Sequence, residues 1–396
     1  MKSVLFFYIL GISFFAGAQT MQPYDMVPYR KDSLWGFADI AKTILIEPKY
    51  DEIRFFKDEI TAVRKKDKWG FIDKHGKAVT PFKYDLAGDF SEGMCQVRTG
   101  DAVGYINDKG KEAIKPAFRF CEEFSEGYAV VSDSVNDQLI SKVIDKNGKI
   151  VLPDIRTSST KFHSGYIAVE EGNKNYFINP NGKRLSLPEG AEPYFEFAEN
   201  AAIVKLHASK KAKDTIAPVY YLGIINTSGK LTGDTVKDVF GNKILVNTIQ
   251  RVIANFVNGF AIVQRSGATY ADKNNEYAFI DKAGKMSMWF SVVRAFSEDG
   301  RTLVVSTADS TVRIIDTKFK TIPPEISLAD AGTFSEGMLR VKFSIDGKWG
   351  YINEDGEVVV DPIFEEASDF SGGLAAVTLK GKKGFINKKG LQFWQN

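Results

Sequence analysis

A short block recurs ten times along this chain of 396 residues, and the repetition constrains the fold more than any single residue does. Most copies read as an aromatic or aliphatic residue, then Ile, then Asp or Asn, and most are 34 to 38 residues apart. Such a period is typical of propellers, solenoids and repeat arrays, whose units are too small to bury their own apolar faces. The ten copies are Phe37-Ala38-Asp39, Phe71-Ile72-Asp73, Tyr105-Ile106-Asn107, Val143-Ile144-Asp145, Phe177-Ile178-Asn179, Ile224-Ile225-Asn226, Phe279-Ile280-Asp281, Ile314-Ile315-Asp316, Tyr351-Ile352-Asn353 and Phe385-Ile386-Asn387.

Each repeat reads as a small antiparallel meander. Apolar and polar residues alternate over residues 60–64, 69–73 and 78–81, with polar turns between them, which predicts strands with one buried face. The turn after the second strand begins with Asp or Asn in all ten units and has Gly at its fourth position in eight. This pattern predicts a type I turn closed by a residue with positive φ. Units one and eight have Lys42 and Phe319 at the Gly position, so we expect their hairpins to close differently.

A Phe column is the second recurring device. One Phe stands before the turn into each of nine meanders, usually three residues ahead of a Gly, and predicts a packing wedge between neighbouring units. Prolines recur at the end of the third strand, a position where no hydrogen bond of the sheet requires a backbone N–H. The Phe residues are Phe56, Phe90, Phe124, Phe162, Phe197, Phe256, Phe296, Phe334 and Phe370.

These patterns predict an all-β tandem repeat of about ten three- to four-stranded antiparallel units, arranged as a β-propeller-like closed ring. The alternatives are an open β-solenoid or two smaller rings. Ten units exceed the usual four to eight blades of a propeller, which favours an open stack. The chain nevertheless ends in the apolar stretch 391–394, which is unsuited to an exposed cap, so a closed ring is preferred.

The stretches Lys68–Asp73 and Lys348–Asn353, both reading Lys-Trp-Gly-aromatic-Ile-Asp/Asn, resemble the WG (or KWG) repeat family of bacterial proteins. Leu34–Phe37 is a third match, and the flanking Asx-x-x-Gly-Lys and Phe-Ser-Glu-Gly elements extend the resemblance over residues 25–396. It is specific in the first three and last two units, and degenerate between about 180 and 320. The resemblance implies a β-strand repeat fold and carries no assigned reaction or ligand.

The N-terminus has the pattern of a secretory signal peptide. Lys2 precedes an apolar stretch over residues 4–15, and Ala16-Gly17-Ala18 is a small-residue cleavage pattern. We therefore expect residues 1–18 to be removed and residues 19–396 to form an exported WG-repeat domain with no membrane span, in the periplasm, at the cell surface or secreted. In an oxidising compartment Cys95 and Cys121 can pair, but both stand at apolar positions of the repeat, which favours two separate buried thiols over a disulfide.

The chemistry-bearing residues favour binding over catalysis. With 52 basic and 50 acidic residues interspersed, the chain lacks the basic face that nucleic-acid binding requires. His75, at a variable turn position, and the separate His163 and His207 do not form a metal-ligand pattern, and the Asx turns lack the ladder of oxygens of a calcium loop. We expect no catalytic, cofactor or metal site. The Trp column, Trp35, Trp69 and Trp349, is interrupted in the other units, which favours packing over a carbohydrate platform.

Three insertions, at residues 206–219, 231–252 and 264–276, depart from the repeat and are the candidate recognition loops. The preferred function is an exported, non-catalytic scaffold that binds a protein or an envelope glycan. The alternative is a hydrolase or other enzyme whose site lies in these central insertions. The sequence leaves the oligomeric state open.

Overall fold

Strands are the only regular structure in the part of the chain that the computed structural model describes. The described residues are 26–56, 59–135, 138–157, 159–172, 174–207, 220–233, 235–238, 240–244, 249–266, 275–294, 296, 300–306, 312–322, 328–344 and 346–395. The predicted signal peptide and cleavage site therefore lie outside the described residues.

The first five units contain sixteen strands. Unit one has β1 Val27–Lys31, β2 Leu34–Ala38 and β3 Ile44–Tyr50; unit two has β4 Glu52–Ile53, β5 Ile60–Lys65 and β6 Lys68–Asp73; unit three has β7 Leu86–Ser91, β8 Met94–Thr99, β9 Ala102–Asn107 and β10 Glu112–Phe118; unit four has β11 Phe120–Cys121, β12 Tyr128–Val135, β13 Gln138–Asp145 and β14 Ile150–Ile155; unit five has β15 Ile167–Glu171 and β16 Lys174–Ile178.

The other five units follow the same order. Unit six has β17 Ala191–Pro193, β18 Ala201–His207 and β19 Tyr220–Asn226; unit seven has β20 Arg251–Val257, β21 Phe260–Ser266, β22 Asn275–Asp281 and β23 Phe290–Val293; unit eight has β24 Arg301–Ser306, β25 Val312–Asp316 and β26 Thr321–Ile322; unit nine has β27 Asp330–Ala331, β28 Met338–Lys342, β29 Trp349–Asn353 and β30 Val358–Phe364; unit ten has β31 Glu366–Ala367, β32 Leu374–Leu379 and β33 Lys382–Asn387, and β34 Trp394–Gln395 ends the described chain.

Hydrogen bonds group these strands into nine sheets, eight of two to four strands and one of seven. The seven-stranded sheet joins units seven and eight, because β23 pairs with β22 on one side and with β24 on the other. In units one, three and nine the last strand leads directly into the first strand of the next unit, as β3 leads into β4, β10 into β11 and β30 into β31. Each meander is antiparallel, as predicted.

The two ends of the chain meet and close the ring. Strand β34 adds to the sheet of unit one by pairing parallel to β1, with Arg30 opposite Trp394. The N–H of Arg30 donates to the carbonyl of Phe393 at 3.3 Å, and the Phe393 side chain is fully buried against Val27 and Tyr29. The apolar C-terminal stretch is thus the contact that closes the ring, as the sequence predicts.

Apolar packing follows the same circuit. The ten hydrophobic clusters of the described residues each join two consecutive units, and the cluster of Leu374 and Phe393 with Val27 and Ala38 joins unit ten to unit one. Each unit therefore packs against the units before and after it in the chain, and the last unit packs against the first. This confirms the all-β, β-propeller-like closed ring and is inconsistent with an open solenoid or two smaller rings.

Both faces of each central strand are buried, which corrects the expectation of half-buried sheets. In β6 the aromatic residue of the recurring block, Phe71, packs toward unit three, whereas Ile72 packs toward unit one. The strand is consequently buried over four successive residues. A strand that lies between two neighbouring units has no solvent-exposed face. Alternate side chains therefore point into the interfaces with the two neighbouring units, instead of alternating between core and solvent.

The Phe column forms the predicted wedge between units. Phe124 of unit four lies edge-on against Tyr105 of unit three, with ring centroids 4.8 Å apart, and the Phe370–Tyr351 pair has the same spacing. The aromatic residue of one block thus meets the Phe of the next unit. All nine Phe residues are buried.

The Asx turns form as predicted. In unit two the carboxylate of Asp73 accepts the N–H groups of His75 and Lys77, and Gly76 has φ of 75°. Units one and eight use the same turn, contrary to expectation: Lys42 and Phe319 have φ of 68° and 62°, and their N–H groups donate to Asp39 and Asp316 in the usual way. In unit eight the strained residue places its ring against Phe260 and Phe279, so apolar packing offsets the backbone strain.

The Gly of the Trp-Gly pair is required by a close crossing of backbone. A Cβ at Gly36 would stand 2.2 Å from the carbonyl oxygen of Ile46 and 2.7 Å from the nitrogen of Pro48. At Gly104 the corresponding distances to Ile114 and Pro116 are 2.4 and 2.5 Å. The last strand of the unit, β3 in unit one and β10 in unit three, therefore crosses directly over the Gly, and any side chain there would separate the two strands.

The described part of the 231–252 insertion is structural. An eleventh Asx turn, begun by Asp238 and ended by Gly241, lies at its tip, where Phe240 is 86% exposed. Before and after this turn, Val236 and Ile244 are buried in the cluster between units six and seven. This part of the insertion therefore supplies core residues as well as an exposed turn.

Candidate functional site

Several polar residues that recur in the repeat form hydrogen bonds that hold neighbouring units together. The carboxylate of Glu92 accepts the N–H groups of Glu126 and Gly127 in the next unit, and the carboxylate of Glu126 accepts those of Ser164 and Gly165. Glu199 repeats the arrangement with unit seven. Here burial disfavours its ionisation, but Lys282 and two backbone N–H groups hold its pKa below the ordinary value.

A second set of acidic residues caps the other hairpin turns. Asp51, Asp85 and Glu365 each stand just before the first strand of a unit, and they accept N–H groups from the turn between the second and third strands of that unit. The N–H groups of Gly381 and Lys380 lower the pKa of Glu365. The Lys68 ammonium and the N–H of Gly100 do the same for Asp85. These carboxylates are therefore structural, and sequence reasoning assigned them no role.

The two cysteines, His75 and the tryptophans of the Trp column occupy the environments that the repeat pattern predicts. Cys95 and Cys121 are separate free thiols, Cys95 fully buried and Cys121 partly buried, and burial raises the pKa of Cys121 to about 12. His75 is exposed at its turn position. Trp69 is buried with the Arg54 guanidinium 4.8 Å from its ring centroid, and Trp349 packs similarly with Arg340. The tryptophans are packing residues.

Two of the predicted recognition loops fall mainly outside the described residues. Residues 208–219 and 267–274 account for most of the insertions at 206–219 and 264–276. Within the described ranges no group of three or more His, Cys, Asp or Glu residues is placed to hold a metal ion. No helix in those ranges has the length and apolar character needed to cross a membrane.

A cleft of about 270 Å³ lies between units five and six. It forms where the repeat is least complete, because the sheet of unit five contains only β15 and β16. On the other wall, the N–H groups of Tyr194 and Phe195 both donate to the carbonyl of Ile203, a bulge that interrupts the strand of unit six. The lining residues are Thr157, Ser159, Ala168, Val169, Glu170, Asn175, Pro193, Tyr194, Phe195 and Glu196.

One wall of the cleft holds a buried hydroxyl without a hydrogen-bond partner. Ser159 is 3% exposed, and its Oγ atom contacts no donor or acceptor among the described residues. The neighbouring Thr157 hydroxyl, in contrast, donates to the Ala168 carbonyl at 2.6 Å and accepts the Ser159 N–H at 2.9 Å. A buried hydroxyl without a partner costs about 1–3 kcal/mol, so a ligand group that bonds Ser159 recovers free energy.

The charged residues that line the cleft are both acidic. Glu170 lies exposed at its mouth and Glu196 is half-buried, while no described lining residue is basic. Burial raises the pKa of Tyr194, whose ring also carries the Lys205 ammonium 4.6 Å from its centroid. The cleft therefore combines two carboxylates, a free hydroxyl and an amide with aromatic and aliphatic walls. Sequence reasoning missed all of these residues, and no motif marks them.

Four segments of the chain match the family model of the WG-containing repeat, at residues 35–69, 69–101, 104–133 and 349–382. The matched segments lie in the regular first and last parts of the chain, where the sequence resemblance to this family is specific. A comparison with curated proteins finds no match.

Several solved structures resemble the fold at low sequence identity. Hsv2 of Kluyveromyces lactis is 12% identical, with a TM-score of 0.34 over 67% of this chain and 93% of the other. The β-propeller domain of the Trilobed protease from Pyrococcus furiosus is 9% identical, with a TM-score of 0.33 over 87% and 93%. Dihydro-heme d1 dehydrogenase NirN is 12% identical, with a TM-score of 0.33 over 79% and 75%.

Proposed function

We propose that the protein is an exported, non-catalytic scaffold that binds a protein or an envelope glycan through the cleft between units five and six. The observation that carries this proposal is the buried, unpartnered hydroxyl of Ser159 in the cleft wall. Acidic residues of the regular units are already engaged as turn caps. The residues available for recognition are therefore those that depart from the repeat.

A cleft-blocking substitution tests the proposal. Asn175 is exposed and lines the cleft, so Asn175→Trp should obstruct the opening without entering the core. Asn181→Trp, at an exposed turn position of the same unit, is the matched control. Wild type, variant and control are immobilised and exposed to an envelope extract and to a glycan array. We expect the ligand retained by wild type and control to be lost by Asn175→Trp. Equal retention by all three would refute the cleft as the binding site.

A hydrolase is the second candidate, because Glu170 and Glu196 line the same cleft and paired carboxylates are the groups that glycoside hydrolysis uses. The same three proteins are assayed on a panel of extracytoplasmic polysaccharides, together with Glu196→Gln. Turnover by wild type that Glu196→Gln abolishes would replace the scaffold with an enzyme. Turnover that survives in Glu196→Gln does not come from this carboxylate.

A further inference from the structure

The cleft between units five and six has the chemistry of a cation site. We propose that it binds a primary ammonium group carried on an aliphatic stem, supplied by a lysine side chain or by a small diamine. The inference rests on the proposed function, since it names the ligand class of the same cleft.

Hydrogen-bonding capacity is the first argument. The carboxylates of Glu170 and Glu196 only accept hydrogen bonds, and the Ser159 hydroxyl and the Asn175 amide each offer an acceptor oxygen. An ammonium group has three donors and no acceptor, so it complements this lining without leaving one of its own groups unsatisfied. An anionic ligand would meet two negative charges and no basic residue among the described lining residues.

The apolar walls are the second argument. Val169, Pro193 and Phe195 provide surface for a methylene stem. The face of an aromatic ring attracts a cation, and Tyr194 already shows this by carrying Lys205 on its ring. Phe195 is the lining ring left for the ligand. The volume of about 270 Å³ is slightly below that of drug-sized pockets, roughly 300–1,000 Å³, and suits a single short chain.

The test uses the whole protein and matched probes. Binding of 1,5-diaminopentane and of 1,5-pentanediol, which has the same length without charge, is measured by titration calorimetry at low salt. Nα-acetyl-lysine methylamide is the peptide-borne probe, and glucose is the saccharide probe. Glu196→Gln and Glu170→Gln remove the charges of the cleft, Ser159→Ala removes the hydroxyl, and Glu189→Gln changes an exposed glutamate outside the cleft.

We expect the diamine or the lysine derivative to bind at least tenfold more tightly than the diol. Each Glu→Gln change in the cleft should weaken binding of the ammonium probe about tenfold, because the loss of one charge-assisted hydrogen bond lowers the affinity by at least that factor. Ser159→Ala should also weaken binding, and Glu189→Gln should not. Stronger binding of the lysine derivative assigns the ammonium to a peptide, and stronger binding of the diamine assigns it to a free amine.

Three results would overturn the inference: equal binding of diamine and diol, no binding of either ammonium probe to wild type, or binding of glucose that survives both Glu→Gln changes. These outcomes are separate from the proposed function. Loss of capture in Asn175→Trp without ammonium binding would leave the cleft as a binding site and reject only the ligand class.

Discussion

In units two to four the turn Gly rests against the preceding unit, and Gly110 allows this contact to be measured. Gly110 has φ of 76°, and a Cβ there would stand 2.5 Å from Cγ1 of Val79 and 3.3 Å from Cγ2 of Thr80. Gly127, with φ of 86°, would place its Cβ in open space. Alanine at the two sites therefore has similar backbone strain but a different contact with the neighbouring unit.

The left-handed conformation costs an alanine about 1–2 kcal/mol, and this cost applies to both variants. The added Cβ must also displace Cγ1 of Val79, whose side chain is exposed; an off-rotamer side chain costs about 0.5–1.5 kcal/mol, and this cost applies only at position 110. We therefore expect Gly110→Ala to lower the free energy of unfolding by about 1.5–3.5 kcal/mol and Gly127→Ala by about 1–2 kcal/mol. Urea denaturation followed by tryptophan fluorescence measures both values.

A double-mutant cycle shows whether the difference comes from Val79. In a Val79→Ala background the clash with Cγ1 is gone, so Gly110→Ala should cost no more than Gly127→Ala does. The reasoning is refuted if the two single variants are equally destabilised. It is also refuted if removing the Val79 side chain leaves the cost of Gly110→Ala unchanged, because the turn would then not rest on the preceding unit.

Two further predictions concern strain and pH. Lys42→Gly should raise the free energy of unfolding by about 1 kcal/mol, because it removes the strain of a left-handed residue. Phe319→Gly should lower the free energy of unfolding, because the loss of a packed Phe costs about 3–5 kcal/mol and outweighs the relief of strain. A gain in stability in both variants would refute the packing role of Phe319. The folded-state pKa of Glu365 is lowered, so its contribution is present above the unfolded pKa and lost as pH falls through the folded value. Urea unfolding should therefore show that Glu365→Gln is destabilising at pH 7 and nearly neutral at pH 3, and a pH-independent difference would contradict the capping role.

Local patterns predicted the parts of the fold that depend on local chemistry. The Asx side chain of Asp73 bonds N–H groups two and four residues ahead, and Gly76 adopts the φ that its missing Cβ permits. Because these contacts lie within five residues, the repeat reveals them directly. Lys42 and Phe319 were misread because the turn is stable enough to form without Gly.

The candidate site could not be predicted in the same way. Ser159 and Glu196 stand 37 residues apart, carry no motif, and meet because unit five is reduced to two strands and unit six bulges at Tyr194 and Phe195. The replacement of Glu by Ser164 in the Phe-x-x-Gly turn of unit five is a local sign of irregularity. It does not show that the irregular unit opens a cleft.

The sequence by itself determined the repeat, the strands, the turn chemistry and the Phe wedge, since each is specified by residues within one period or by its recurrence. Tertiary structure decided what depends on residues far apart in the chain. Pairing of Arg30 with Trp394 closes the ring, carboxylates such as Glu92 and Glu126 cap turns in the following unit, and both sheet faces are buried because every unit has two neighbours. Burial and charge at these contacts depend on which units meet, and a one-dimensional pattern does not contain that information.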